Sequence, residues 1–318
     1  MVGGLVALGL VGLAVVAVVL ILAAGLPTAP TVYDEEYVSG DGPDKIAVVP
    51  VEGTIAPADT TRGGTQPTST PEGLADALRQ ASQDANVVAV VLEVNSPGGG
   101  VTASDEMHQS ILDFRRNTGK PVVVSMGDTA ASGGYYISTA ADRIVANETT
   151  LTGSLGVIIP LTNFAEAADK YGIKQVVIKS GRYKDIGNPF REMKPDERKI
   201  LQSIVDEDYS EFVDVISEGR HIPEDRVREI ADGRVYSGSQ AKDLGLVDSL
   251  GSLDEASATA GRLAGTNDTT VIRYVQKPTL IETVLARLAP QEPQAQQVME
   301  AAGLDLEPKP YYLYLPGA

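Results

Sequence analysis

The sequence predicts an α/β domain built on a largely parallel sheet, because apolar runs of strand length alternate with amphipathic runs of helix length. Residues 86–94 (NVVAVVLEV) and 120–126 (KPVVVSM) are almost continuously apolar, as strands covered on both faces are. Each leads into a stretch of helical period. Of the 318 residues 43% are hydrophobic, enough for a sizeable core, and 32 are glycine, which points to many tight turns.

The chain opens on an apolar run, Val2 to Leu26, that carries no charge. About 20 apolar residues span a bilayer, so residues 1–26 are predicted to form one transmembrane helix. A cleaved signal peptide has a shorter apolar core with basic residues before it, and none precede this run. Asp34, Glu35 and Glu36 follow it, which favours an N-terminus inside and a main domain outside the cell membrane. Residues 27–44, rich in Pro, Gly and acid, read as a tether to a domain over 45–277. Residues 278–318, rich in Pro and Gln, read as a loosely ordered tail.

Within the domain, 46–55 (IAVVPVEGTI) reads as a strand and 71–84 as a helix opened by Pro71. After strand 86–94 comes a helix over 101–117, strand 120–126, and a strand-to-helix passage across 127–142. Short strands are expected at 143–147 and around 153–158. A helix near 162–172 and a strand at 173–179 (IKQVVIK) come next, then helices near 195–219, 223–232 and 252–263.

Composition narrows the function. Forty-three acidic residues against 26 basic give a net charge of −17. Such a surface repels phosphate backbones, so nucleic acid is not an expected partner. The acid is dispersed, as on a solvated surface or one adapted to high salt. With no cysteine there is neither a disulfide nor a thiolate nucleophile or metal site.

Two glycine-rich motifs stand where strands pass into helices. Ligands of open α/β sheets bind outside the carboxyl ends of the strands, so Asn95-Ser96-Pro97-Gly98-Gly99-Gly100 is well placed. It reads as a phosphate loop, an oxyanion hole or a plain turn, and both common phosphate-loop patterns are absent. In Ala130-Ala131-Ser132-Gly133-Gly134-Tyr135-Tyr136, Ser132 reads as a nucleophile or as a helix N-cap. A serine nucleophile needs a base. The two histidines, His108 within an amphipathic helix and His221 at a helix end, read as surface or capping residues. A lysine base is the stronger option. Lys184, in the Gly-flanked loop Ser180-Gly181-Arg182-Tyr183-Lys184-Asp185, is one of several lysines that qualify.

SPGG, TAASGGYYI, TGSLGVI and SGRYKDIGNP, in that order across residues 45–263, resemble the signal peptide peptidase A family. The resemblance implies a Clp/crotonase-like fold and a serine endopeptidase of the short, single-domain form. It implies Ser132 as nucleophile, Lys184 as general base and Ser154 as the residue that orients the lysine. Gly98, Gly99 and the N–H of Gly133 match the oxyanion hole. It implies no cofactor and no metal. The implied partners are cleaved signal peptides or other apolar segments, membrane lipid around the N-terminal helix, and further copies of the chain in a ring. A stomatin-partner type of membrane protease is the alternative among proteases. A crotonase-like acyl-CoA enzyme or a non-catalytic scaffold is the alternative outside them.

Overall fold

The computed structural model describes residues 32–57 and 68–276, with the backbone of 311–313. The expected anchor over residues 1–26 lies outside the described residues. Among those described, no helix is long and apolar enough to cross a membrane.

Among the described residues, eleven strands form one mixed sheet: β1 (Asp34–Gly40), β2 (Asp44–Ile55), β3 (Thr68–Ser69), β4 (Val87–Gly100), β5 (Val122–Ala131), β6 (Arg143–Ala146), β7 (Leu151–Gly153), β8 (Val235–Ser237), β9 (Ser249–Leu250), β10 (Thr269–Val275) and β11 (Tyr311–Leu313). The main path runs β1-β10-β2-β4-β5-β6-β9, parallel from β10 to β9, with β1 antiparallel at one edge. β7 leaves the path beside the end of β5, and β11 lies antiparallel beside the end of β4.

Strand alternation sorts the core into two layers. Ala47, Val49 and Val51 of β2 face α1 (Pro71–Gln83), α2 (Val101–Thr118), α3 (Gly133–Ser138) and the long helix α5 (Pro195–Arg220). Ile46 and Val48 face the opposite way, onto Ala256 and Ala260 of α8 (Leu253–Ala264). All are buried, each large aliphatic contributing about 1.5–3 kcal/mol. Helix starts obey the sequence signals: Thr70 caps α1 by accepting from the Gly73 N–H at 3.0 Å, with Pro71 in the first turn. The other helices among the described residues are short: α4 (Ala165–Tyr171), α6 (Glu224–Ile230) and α7 (Gly238–Asp243).

The parallel α/β expectation holds in its coarse form, and several elements differ; among them β11 lies in the stretch read as a loosely ordered tail. The stretch expected as a tether carries β1, which pairs with β10 from Asp34↔Val275 to Gly40↔Thr270. β10 itself is a strand that periodicity did not single out. Residues 173–179 are not a strand: everything from Tyr171 to Lys184 is exposed, and no strand pairs with the segment among the described residues. An apolar alternating run becomes a strand only when a neighbour satisfies its backbone.

Candidate active site

β4 does not stop at its apolar run. It continues through Ser96 to Gly100 because β2 runs alongside it, pairing Thr54 with Gly98 and Ile55 with Gly99. The contact admits only glycine: a Cβ on Gly99 would lie 1.9 Å from the Ile55 carbonyl oxygen. On the other side β4 pairs with β5 only as far as Ser96↔Ala130. Beyond that point the strands part and leave a slot along Gly98–Gly100. β11 lies in this position, with Tyr311, Tyr312 and Leu313 opposite Gly100, Gly99 and Gly98.

Ser132 stands where β5 turns into α3. Its φ of 52° and ψ of −115° are unusual for a residue with a side chain, and such strain concentrates at functional sites. The turn is over-determined by its surroundings. The Ser132 N–H donates to the Gly153 carbonyl at 2.8 Å, and α3 is pinned by two buried tyrosines. Tyr135 donates its hydroxyl to the Leu246 carbonyl at 2.8 Å and Tyr136 donates to Asp105 at 3.0 Å. The Ser132 Oγ is buried and has no hydrogen-bond partner, so it does not serve as an N-cap. A buried hydroxyl left unpaired costs about 1–3 kcal/mol; Ser104 and Ser257 bear the same cost, and of the three only Ser132 stands on a strained turn.

The two glycine motifs meet at this turn. A Cβ on Gly133 would fall 3.1 Å from the Gly99 nitrogen, 3.2 Å from the Gly98 Cα and 2.5 Å from the Ser104 Oγ. Gly98, Gly99 and Gly133 are therefore packed backbone against backbone beside Ser132. The Gly98 N–H is already given to the Ser96 Oγ at 3.1 Å. Ser154 follows β7 as Ser132 follows β5. Ala131 and Gly153 are in register, and Ser154 too is held at a positive φ, 51°.

Lys184 is brought near none of this by a hydrogen bond. It is exposed within a turn closed by its own N–H to the Gly181 carbonyl at 3.2 Å and by Ile186 N–H to Tyr183. Asp185, the next residue, is tightly held. Arg191 donates to the Asp185 carboxylate at 3.1 Å and to the Asp185 carbonyl at 2.9 Å, and forks onto the fully buried Glu197 at 2.8 and 2.6 Å. Lys179 contacts the second Asp185 oxygen. These cations hold Asp185 well below the ordinary carboxylate range, and Arg191 draws Glu197 down to about 2. Sequence reading did not single out this network. Its signal was the spacing, with an arginine six residues after one acid and six before another.

Neither histidine serves Ser132. His221 is the left-handed C-cap of α5, the capping role read from its position. His108 departs from its reading as a surface or capping residue: it is buried, stacked edge-on against Tyr136 at 5.2 Å, and burial lowers its pKa to about 4. An amphipathic helix has an inward face, and His108 lies on the same face as Ser104 and Ile111.

Residues 115–267 match Peptidase family S49. A putative signal peptide peptidase SppA from Enterococcus faecium is 33% identical over 290 residues, covering 88% of this chain and 84% of that protein. A chloroplastic serine protease SPPA from Arabidopsis thaliana is 35% identical over 248 residues, 76% of this chain and 35% of its own length. Among solved structures, a ClpP1 mutant from Listeria monocytogenes aligns with TM-score 0.43 and 18% identity, over 66% of this chain and 94% of that one.

Proposed function

This chain belongs to peptidase family S49 and is a serine endopeptidase, and on that premise we propose that Ser132 and Lys184 form a Ser-Lys dyad that cleaves signal peptides and other apolar segments at a membrane. The observation that carries the reading is the Ser132 Oγ, buried and unpartnered on a strained turn beside Gly99 and Gly133.

In this mechanism Lys184 is neutral when substrate binds. Its Nζ takes the proton from the Ser132 hydroxyl as Oγ attacks the peptide carbonyl. The backbone N–H groups of Gly99 and Gly133 receive the oxyanion; one such donor is worth about 10²–10³ in rate. The C–N bond then breaks, the amine leaves with the proton from Lys184, and water hydrolyses the acyl-enzyme. Ser154 orients the lysine amine. Neither a cofactor nor a metal takes part.

An extended peptide is the substrate form the site favours. The slot along Gly98–Gly100 accepts β11 as an antiparallel strand, and an added strand gives backbone hydrogen bonds irrespective of side chain. The finer fold is Clp/crotonase-like, with parallel β2, β4 and β5 ending in the oxyanion glycines. The apolar run over 1–26 supports a single-pass anchor in the cell membrane, with the domain extracytoplasmic.

Ser132 and Lys184 share no hydrogen bond within one chain, and residues 171–184 are exposed with apolar side chains such as Val176 and Ile178. Both facts favour a closed homo-oligomer in which the lysine loop of one protomer covers the serine of the next. Such a cover also removes water from around the amine, and desolvation favours the neutral form that can accept a proton. Mixing inactive Ser132→Ala protomers with inactive Lys184→Ala protomers tests it. Partial return of activity is expected; a mixture that stays dead, or a fully active monomer by light scattering, overturns the crossed arrangement.

A further inference from the structure

We propose that Arg191 is a positioning residue for the reaction: it fixes the backbone next to Lys184 to the first turn of α5, so that the lysine loop is delivered as a rigid arm. This rests on Lys184 as the base and adds a residue that acts through it.

The guanidinium is saturated. Its five N–H donors serve the Asp185 carboxylate, the Asp185 carbonyl, the Glu192 carbonyl at 3.1 Å and both oxygens of Glu197. Nothing is left over for substrate, so Arg191 does not act on the peptide. Each acceptor instead ties down a piece of the loop. Glu197 is anchored as the third residue of α5 and accepts the Lys194 N–H at 3.0 Å, tying the N-cap backbone to the first turn. Asp185 is the residue directly after Lys184, and it is held by its carbonyl as well as its carboxylate. Lys179, at the far end of the same loop, grips the other Asp185 oxygen and also donates to the Arg182 carbonyl at 3.2 Å. Tyr183, just before Lys184, donates to Asp196 at 2.9 Å, again in the first turn of α5. Both neighbours of Lys184 are thus fastened to one helix end, while Lys184 itself carries no such bond.

The remainder of the segment gives this arrangement its purpose. Residues 171–184 are exposed and pair with no strand among the described residues, so packing does not fix the loop within one chain. A proton acceptor displaced by about 1 Å loses on the order of 10²-fold in rate. Polar fastening to α5 supplies the placement that a core would supply elsewhere. Lysine at position 191 keeps the charge but offers three donors from one point, and cannot bridge Asp185, Glu192 and Glu197 at once.

The test uses Arg191→Lys in the full chain, read by the rate at which a fluorophosphonate labels Ser132 as a function of pH, with peptide kcat and KM measured alongside. The expected result is a labelling rate and kcat lower by on the order of 10²-fold, KM little changed, and a labelling midpoint moved to higher pH. A merely structural role would reduce the active fraction without moving that midpoint. Asp185→Asn, which leaves the Arg191–Glu197 fork in place, should move the midpoint the same way, and it carries the test should Arg191→Lys fail to fold or assemble. Wild-type rate and midpoint in whichever of the two variants folds overturn the proposal. Lys184→Ala separates the two claims: labelling at the wild-type rate in that variant sinks the lysine base itself. A dead Lys184→Ala beside an unaltered Arg191→Lys sinks only the positioning role.

Discussion

Ser132 and Ser154 leave the sheet side by side, because Ala131 and Gly153 are paired in register and the Ser132 N–H binds the Gly153 carbonyl at 2.8 Å. Two parallel strands ending at the same height each release a serine at positive φ, 52° and 51°. A side chain at either position is strained, and only one hydroxyl of the two is buried without a partner.

Ser132→Ala should abolish peptide hydrolysis while leaving the fold and assembly intact. The deleted hydroxyl makes no bond, so its loss removes an unsatisfied group and little volume. Loss of a nucleophile costs about 10⁴–10⁶ in kcat. Mass spectrometry should find the fluorophosphonate adduct on Ser132 in the wild type and none in the variant. An adduct on another residue, or residual hydrolysis that co-purifies with the variant, would refute the assignment.

Lys184→Arg should be as inactive as Lys184→Ala. Arginine keeps the positive charge but is not deprotonated in proteins, so it cannot accept the serine proton. Ser154→Ala should lower kcat less than either, since it removes an orienting group and not a reactant. Wild-type turnover in Lys184→Arg would make the lysine a charge partner only.

Gly99→Ala should fail at the level of the fold. Its Cβ would lie 1.9 Å from the Ile55 carbonyl oxygen, a contact with backbone that no rotamer relieves. Separation of β2 from β4 at Thr54–Ile55 is the only way out, and it disrupts the strand end that carries Gly98–Gly100. Thermal denaturation should show a Tm lower by several degrees, about 4 °C or less per kcal/mol in a domain of this size. Unaltered Tm and unaltered activity would show that the strand end is looser than this contact requires.

Legibility followed the source of each element's order. The central strands 86–94 and 120–126 were readable because their burial on both faces is written into their own apolar runs. Their extensions, Asn95–Gly100 and Gly127–Ala131, were not, since strand pairing there comes from Thr54, Ile55 and Leu151, far away in sequence. β1 was hidden for the same reason: Asp34–Gly40 is polar, and only β10 makes it a strand. The glycine-rich motifs around Gly98–Gly100 and Ser132 stood out through local composition, and the roles assigned within them came from the family resemblance. Arg191 and Glu197 did not stand out, because an ion pair between a loop arginine and a buried helix-start glutamate looks in sequence like ordinary surface charge. The reading of 173–179 as a strand shows the converse, a pattern for which the described residues provide no partner.

His108 should make the protein less stable as pH falls through the slightly acidic range. Burial lowers its pKa from 6.5 to about 4, with Asp105 opposing the shift. The folded protein therefore binds fewer protons than the unfolded chain between those values, and stability present in full above pH 6.5 is lost towards pH 4. The difference is worth roughly 3 kcal/mol. His108→Leu should flatten the slope of Tm between pH 7 and pH 5 relative to wild type. Because the carboxylates are common to both proteins, the comparison isolates His108. Identical slopes would mean that the imidazole is not neutral in the fold.

β11 should compete with substrate for the slot along Gly98–Gly100. Tyr312 lies opposite Gly99, so the tail backbone occupies the strand position that a peptide needs in order to reach Ser132. A segment on the same chain is present at an effective concentration in the millimolar range, so even a weak strand contact, with a Kd of about 1 mM, holds the slot about half the time. Removing residues 306–318 should then lower KM for an extended apolar peptide roughly twofold or more, with kcat unchanged, because the tail blocks binding and takes no part in the chemistry. The free peptide YYLYLPGA should inhibit the truncated protein competitively. In the full chain Tyr312→Pro removes one backbone donor from β11 and should reproduce part of the gain. Equal KM in full-length and truncated proteins, together with no inhibition by the peptide, would show that β11 does not hold the slot in solution.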